Sequence, residues 1–334
     1  MSRLSALALA LLSATAFGQG TPPASLPAPA PAKAKAAAVV NGREISEAAV
    51  DRALKPIAPA KREKARKDVL NFLIENALVD HYLELLKVTV DPKEVDGQLA
   101  SFKKDVTDGK QDYAKVLARM EMTEADLKVE MHNQLRWEKF AAQQGTEEKL
   151  KKLFEASPEI FDGSLVRCRH ILVTADPTDE KERAAALKKI QEVKSALNAA
   201  IASAAAKIPN DTDNLTRQKL LNRATEDAFS AAAREHSMCP SKRDGGLLGE
   251  FPRMGMMVEP FAKAAFALKP YQVSDPVGTP FGYHLILVTA RKPGEPVKFE
   301  QVKGAVAEVY AVRLREAIVD KMKADPKTRI EILK

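Results

Sequence analysis

Cysteine is nearly absent from the 334-residue chain. Cys168 and Cys239 are the only two, too few for a disulfide framework and without the repeated close pairs of a structural zinc site. Glycine is sparse at 15 residues and aromatic residues make up 5%, which excludes a collagen-like chain. At 45% hydrophobic and 29% charged residues the chain is not wholly disordered either. The formal charge of +7 comes from 52 basic and 45 acidic residues interleaved along the chain, with no run that would track a phosphate backbone. Nucleic acid is therefore not an expected partner.

What the chain does have begins with Met-Ser-Arg, then an apolar stretch from Leu4 to Phe17, then small residues. This is the order of a secretory signal peptide, expected over 1–18 with cleavage after Ala16 or Gly18. The stretch is short for a bilayer span, so an exported protein with no stable membrane span after cleavage is expected, and an uncleaved anchor is the alternative. Residues 19–38, rich in Pro, Ala and Lys, read as a semi-extended linker. Folding is expected to begin near Val39. The remaining length suggests two domains, each able to bury a core.

The first domain, 39–163, reads as a hairpin followed by helices. Asn41-Gly42 is a two-residue hairpin signal. Ser46 with Glu47, Asp91-Pro92 and Thr123-Glu124-Ala125-Asp126 are helix starts. Between Arg62 and Lys87, residues Val69, Leu70, Leu73, Ile74, Ala77, Leu78, Leu85 and Leu86 form an apolar stripe at helical spacing. His81 and His132 stand singly and suggest no chemistry. Residues 295–334 carry a further helix, Phe299 to Lys323, and an alternating stretch, Arg329 to Leu333. An isolated helix and strand need partners, so they are expected to complete the first domain after the chain has built a second.

That second domain, 164–294, contains a strand from Val166 to Val173 on which alternation places Cys168 and His170 on one face. Two helices follow, then a glycine-rich loop, a short apolar helix around Met257 to Leu268, and two strands around Phe281-Gly282. The order β, α, α, β, α, β, β predicts a compact α+β domain.

Several linked motifs here resemble the parvulin family of peptidyl-prolyl cis-trans isomerases: Arg-His-Ile-Leu-Val at 169–173, His-Ser-Met-Cys-Pro-Ser at 236–241, Gly-Gly-Leu-Leu-Gly-Glu-Phe at 245–251, Met257 with Phe261, and Phe-Gly-Tyr-His-Leu-Ile at 281–286. The flanking helical pieces are similar to the chaperone domain of the SurA and PrsA class of exported foldases. The resemblance implies an α+β parvulin domain inserted in a mainly α-helical chaperone domain. It implies catalytic roles for His170, Cys239, Thr279 and His284, and a substrate-binding wall of Leu248, Met257, Phe261 and Phe281. The implied partners are unfolded or partly folded exported polypeptides containing X-Pro bonds, in the periplasm or another extracytoplasmic space. No cofactor and no metal are called for.

Three features depart from the family pattern. Leu247 stands where the turn usually carries aspartate, one extra residue lies between Phe251 and Met257, and the stretch near 195–222 is long. Rotation about X-Pro breaks no bond, so a site that binds the twisted amide better than its planar forms suffices. The competing readings are a peptide-binding holdase with a weak or inactive isomerase domain, a zinc site from Cys168, His170, His236 and Cys239 with unusual spacing, and Cys-His hydrolysis, for which no oxyanion-hole signature exists. The acidic stretch Asp176 to Glu180 lacks the basic cluster that would favour phosphopeptides. Cys168 and Cys239 are brought near the same histidine, so a redox-sensitive disulfide between them is a further alternative to separate thiols.

Overall fold

A computed structural model describes residues 35–333. The expected signal peptide and residues 19–34 of the expected linker lie outside the described residues. The chain starts with β1 (Ala36–Val40) and returns as antiparallel β2 (Arg43–Ser46). The turn residues Asn41 and Gly42 have φ of 50° and 83°, the left-handed backbone that a two-residue I′ loop requires. The strand begins at Ala36, inside the expected linker, because Ala37 and Ala38 are small enough to be completely buried beneath the first helices.

Helices α1 (Glu47–Leu54), α2 (Pro59–Leu85), α3 (Pro92–Asp108), α4 (Tyr113–Met120), α5 (Glu124–Gln144) and α6 (Glu147–Ala156) follow. The three starts expected from the sequence are capped. The Ser46 hydroxyl accepts from the Ala49 N–H, the Asp91 carboxylate from Lys93, and Thr123 with Asp126 closes a reciprocal capping box. The α2 stripe buries Leu70, Ile74, Ala77, Leu78 and Leu83. Leu85 and Leu86 leave the stripe and are 63% and 49% exposed, because the helix ends there and Lys87 turns the chain with φ 53°.

The second unit holds β3 (Leu165–Thr174), α7 (Glu180–Ala205), α8 (Asn214–His236), a 3-10 turn at Pro240–Asp244, β4 (Leu247–Pro252), α9 (Glu259–Ala267), β5 (Val277–Thr279) and β6 (Gly282–Lys292). Its strands form one antiparallel sheet in the order β4-β3-β6-β5. One face packs Ile171, Val173, Leu285 and Leu287 against Ile190, Val193, Leu197 and Phe229 of α7 and α8. The opposite face packs Val166, Cys168, Ile286 and Val288 against Phe251, Phe261 and Phe266. Both faces are covered, which is why β3 and β6 carry apolar runs rather than clean alternation. The long stretch noted near 195–222 is the end of α7 and the start of α8, joined by a turn at 206–213. Between Leu197 and Thr225 no side chain is buried, so it lengthens the α7–α8 pair without adding to the core.

The chain then runs through α10 (Phe299–Ala324) to β7 (Ile330–Ile332). β7 pairs antiparallel with β1, with Val39 opposite Glu331, and makes a three-stranded sheet in the order β2-β1-β7. Ile318, Val319 and Met322 of α10 join Val40, Val50, Leu78 and Leu83 in one core. Lys323 pairs with Glu75 at 2.7 Å, and Arg315 donates to Asn76. The two compact units are residues up to Leu150 with Ala307 onward, and Lys151–Val306. The expected parvulin range of 164–294 lies wholly inside the second.

Burying Ile318, Val319 and Met322 contributes about 1.5–3 kcal/mol each, against a typical domain stability of about 5–15 kcal/mol. Deleting residues 297–334 is therefore expected to abolish native hydrogen-exchange protection in β1, β2 and α2. Unchanged protection in the truncated chain would show that the first unit folds without its returning helix and strand.

Candidate active site

On β3, Val166, Cys168 and His170 point to the α9 side of the sheet, and on β6, His284 and Ile286 do the same. His170 sits opposite Ile286 and Leu172 opposite His284, so the two histidines are diagonal neighbours on one face. Their Nδ1 atoms are 3.1 Å apart and their rings are stacked within 20° of parallel. The outer nitrogens are also engaged. His170 Nε2 lies 3.1 Å from Ser241 Oγ, and His284 Nε2 lies 2.9 Å from Thr279 Oγ1. The result is a chain of four groups, Ser241–His170–His284–Thr279.

The chain admits two proton arrangements. In one, the Thr279 hydroxyl donates to His284, which donates to His170, which donates to Ser241. In the other every bond is reversed, Ser241 donates to His170, and the Thr279 hydroxyl turns to the Gly282 carbonyl at 3.4 Å. In both, the Thr279 oxygen accepts the Phe281 N–H at 3.1 Å. Both arrangements need neutral imidazoles, since an imidazolium has no acceptor nitrogen.

Burial enforces that neutrality. His170 and His284 are 4% and 5% exposed. Desolvation pushes His170 down to about 4, and His284, which also feels His170, down to about 3. The unfolded chain therefore binds more protons than the folded one between about pH 4 and 6.5. Stability from this source is complete above the unfolded value and is lost as pH falls through that window, by up to about 1.4 kcal/mol per histidine for each pH unit. Urea denaturation at pH 7, 5.5 and 4.5 checks it. The midpoint should fall with pH in the native chain and fall less in His284→Gln.

An apolar wall adjoins the polar chain. Phe261 presents its ring edge-on to both imidazoles, with centroid distances of 5.7 Å to His170 and 5.2 Å to His284. Leu248 and Met257, both half-buried, pack in the same cluster. Met257 lies in the loop between β4 and α9. That loop is closed by Arg253, whose guanidinium makes two 2.7 Å bonds to the Glu259 carboxylate and lies 3.6 Å from Glu159. Arg253 is 3% exposed. Phe281 is exposed at the β5–β6 turn.

Ser241 is placed by the glycine pair that follows it. Gly246 has φ +79°, and a Cβ there would come within 2.3 Å of the His170 carbonyl. Only glycine lets this backbone approach β3, where the Gly246 carbonyl accepts the His170 N–H at 2.8 Å. Sequence reading did not single out Ser241. The signal was there, in a hydroxyl on a short turn that ends in Gly245-Gly246.

Seven of the eight expected site residues therefore line one continuous set of polar and apolar groups or its edge. Cys239 differs. It is half-buried, its backbone N–H donates to Ser237 Oγ at 3.3 Å, and among the described residues its thiol joins no hydrogen bond to the histidine chain. Both cysteines are free thiols in the structure, Cys168 buried and Cys239 half-buried. Cys168 is buried in the core, which pushes its thiol up to about 12. Cys168, His170, His236 and Cys239 are not grouped as metal ligands among the described residues. Leu247 is exposed and β4 forms around it, so the missing aspartate does not disrupt the turn.

Two family profiles match the chain: a SurA-like N-terminal domain over residues 4–141 and a PPIC-type PPIase domain over residues 211–290. The second range contains every site residue except His170. The foldase protein PrsA of Caldanaerobacter subterraneus is 34% identical over 182 residues, 54% of this chain and 45% of that protein. The foldase protein PrsA of Bacillus subtilis is 41% identical over 91 residues, 27% of this chain and 30% of that protein. The chain thus spans less than half the length of these curated relatives. A crystal structure of a peptidylprolyl isomerase (PrsA) from Bacillus anthracis aligns over 77% of this chain and 90% of that one, with 24% identity and a TM-score of 0.38. The chain thus combines a match to a SurA-like N-terminal domain with a match to a PPIC-type PPIase domain, and it is similar to PrsA foldase proteins.

Proposed function

We propose that the protein is a peptidyl-prolyl cis-trans isomerase and chaperone that assists exported polypeptides, with His170, His284, Thr279 and Ser241 as the polar machinery and Leu248, Met257 and Phe261 as the proline cup. The observation that carries this reading is the buried four-group chain lying directly against Phe261. Twisting an X-Pro amide removes its resonance, at a cost of about 18–20 kcal/mol. The lone pair then localises on nitrogen and the carbonyl loses double-bond delocalisation. A preorganised hydroxyl–imidazole chain that can reverse its proton order meets a changing donor and acceptor demand without ion formation. An apolar cup excludes water from the ring while the carbonyl swings. Cys239 enters this account as a residue two positions before Ser241 and outside the hydrogen-bonded chain, and Cys239→Ser is expected to impair turnover less than His170→Ala.

The test is a protease-coupled assay of the purified chain on unphosphorylated X-Pro peptides. Turnover above the buffer rate, lost on His170→Ala or Met257→Ala, supports isomerase action. The SurA-like N-terminal match and the signal-like N-terminus support export as the setting. Among the described residues no helix is long and apolar enough to cross a membrane.

One observation favours a holdase role alongside catalysis. The first unit contains a cavity of about 900 Å³ lined in part by Phe72, Leu73, Ala77 and Trp137, and Phe72 is largely exposed there. Apolar surface of this kind suits transient contact with unfolded chain. Met257→Ala is therefore expected to keep suppressing aggregation of an unfolded client, read by light scattering, while losing isomerase activity. Parallel loss of both would tie holding to the proline cup.

A further inference from the structure

Ser241 closes one end of the polar chain, and what holds Ser241 in place lies on the other side of the sheet. Strand alternation sends His170 to the α9 face and its neighbour Arg169 to the α7–α8 face, the side on which Ile171 and Val173 pack. Arg169 is not a surface charge there. Its side chain is 16% exposed, and its Nε and Nη2 each lie 3.0 Å from one carboxylate oxygen of Glu226 on α8. The remaining nitrogen, Nη1, donates to the Asp244 carbonyl at 2.7 Å and to the Gly245 carbonyl at 3.1 Å. The guanidinium thus joins a helix to the end of the turn that carries Ser241.

That turn is stiff between its held end and Ser241. The Lys242 N–H donates to the Cys239 carbonyl at 3.0 Å, the Gly245 N–H to the Lys242 carbonyl at 3.0 Å, and the Gly246 N–H to the Ser241 carbonyl at 2.9 Å. The turn is also seated on α8. A Cβ at Gly245 would come within 1.9 Å of Ser230 Oγ, and Ser230 follows Glu226 by one helical turn on the same face. A displacement of Asp244 and Gly245 therefore carries Ser241 with it. The reach that matters is the 3.1 Å from Ser241 Oγ to His170 Nε2, and a shift of about 1 Å is enough to break a hydrogen bond of that length.

Resting on the isomerase reading, we infer that Arg169 and Glu226 form a positioning clamp that sets Ser241 against His170, so that the end of the histidine chain on one face of the sheet is held by an ion pair on the other. Arg169 touches no substrate in this account and acts through Ser241. With the clamp in place, Ser241 serves as the hydroxyl partner of His170 in either proton order. With the clamp released, His170 Nε2 exchanges that fixed partner for water, and the preorganised part of the chain shortens to His170, His284 and Thr279. The planar fork of arginine suits the task, because its nitrogens must meet a carboxylate and two carbonyls at once.

The experiment is a double-mutant cycle on the purified full chain. Arg169→Gln, Ser241→Ala and the two together are compared with the unaltered chain in three readings. Affinity for a fluorescent Ala-Pro peptide comes from anisotropy and turnover from the protease-coupled assay. Long-range proton–nitrogen NMR tells the protonated ring nitrogen of His170 from the bare one. Each single variant is expected to lower turnover at least about tenfold with affinity changed less than about twofold. The double variant should lie within about twofold of Ser241→Ala, since a clamp acting through Ser241 has nothing left to position once the hydroxyl is gone. The His170 Nε2 resonance should move in Arg169→Gln as it moves in Ser241→Ala. Urea denaturation checks the fold of each variant. Arg169→Lys keeps a charge beside Glu226, replaces Arg169→Gln in the cycle if that variant unfolds, and should still leave turnover low. Losses that multiply in the double variant, a His170 resonance unmoved when Arg169 is replaced, or full turnover with lysine overturn the clamp. Matching resonance shifts in a chain that accelerates no peptide would leave the clamp standing and sink the isomerase reading instead.

Discussion

Phe261→Ala is expected to lower stability by about 3–5 kcal/mol and to reduce isomerase activity at least a hundredfold in the molecules that stay folded. The side chain is 3% exposed and packs with Phe251, Phe266 and Ile286, so its removal leaves a cavity that a sheet face cannot collapse to fill. It also removes the edge that both imidazoles rest against. Water admitted there would hydrate His170 and His284 and lift the desolvation that keeps them neutral. The pH window over which stability falls should consequently narrow in this variant. Phe261→Leu separates the two effects. It restores most of the volume without an aromatic edge, so stability should recover further than activity. Urea denaturation and the coupled assay on the same preparations provide both readings, and equal recovery of the two would show that Phe261 acts on the site only through packing.

Arg253→Ala is the second large effect. Breaking a buried ion pair by removing one partner commonly costs about 3–5 kcal/mol. Here about 2–4 kcal/mol is expected, because Glu159 and Glu259 retain enough exposure to be hydrated once orphaned. The functional consequence follows from position. Arg253 and Glu259 bracket the loop that carries Met257, and their paired 2.7 Å bonds fix its closure. Without them the cup loses a defined wall, and kcat/KM for X-Pro peptides should fall more than tenfold. Arg253→Lys should rescue little of this, since an ammonium cannot make the two-pronged contact. Full rescue by lysine would reduce the residue to a source of charge.

Much of this was legible in the sequence. Helix starts are local chemistry, so Ser46, Asp91 and Thr123 announced themselves, as did Asn41-Gly42. The return of the C-terminal strand followed from an unpartnered strand pattern, and β7 pairs its backbone with β1 while Ile330 and Ile332 stay exposed. The two histidines could be placed on one face by strand alternation together with the parvulin resemblance. What escaped notice depends on tertiary context. Ser241 reaches His170 only because Gly246 lets the backbone close on β3. Arg253 reads as one more surface charge until Glu159 and Glu259 converge on it. Alanines look like linker when counted by composition, yet Ala37 and Ala38 are core because β1 packs them beneath the first helices. Leu85 and Leu86 fit the helical period, but the chain turns before the period can bury them.

The most direct test of the central claim is the X-Pro exchange rate measured on unphosphorylated peptides by NMR magnetisation transfer, without a coupling protease, comparing the unaltered chain with His170→Ala and Met257→Ala. The buried Ser241–His170–His284–Thr279 chain and its apolar cup predict exchange well above the buffer rate for the unaltered chain and near-buffer rates for both variants. Exchange in the presence of the unaltered chain equal to that in buffer, across a panel of residues before proline, would contradict isomerase function and leave a peptide-holding domain.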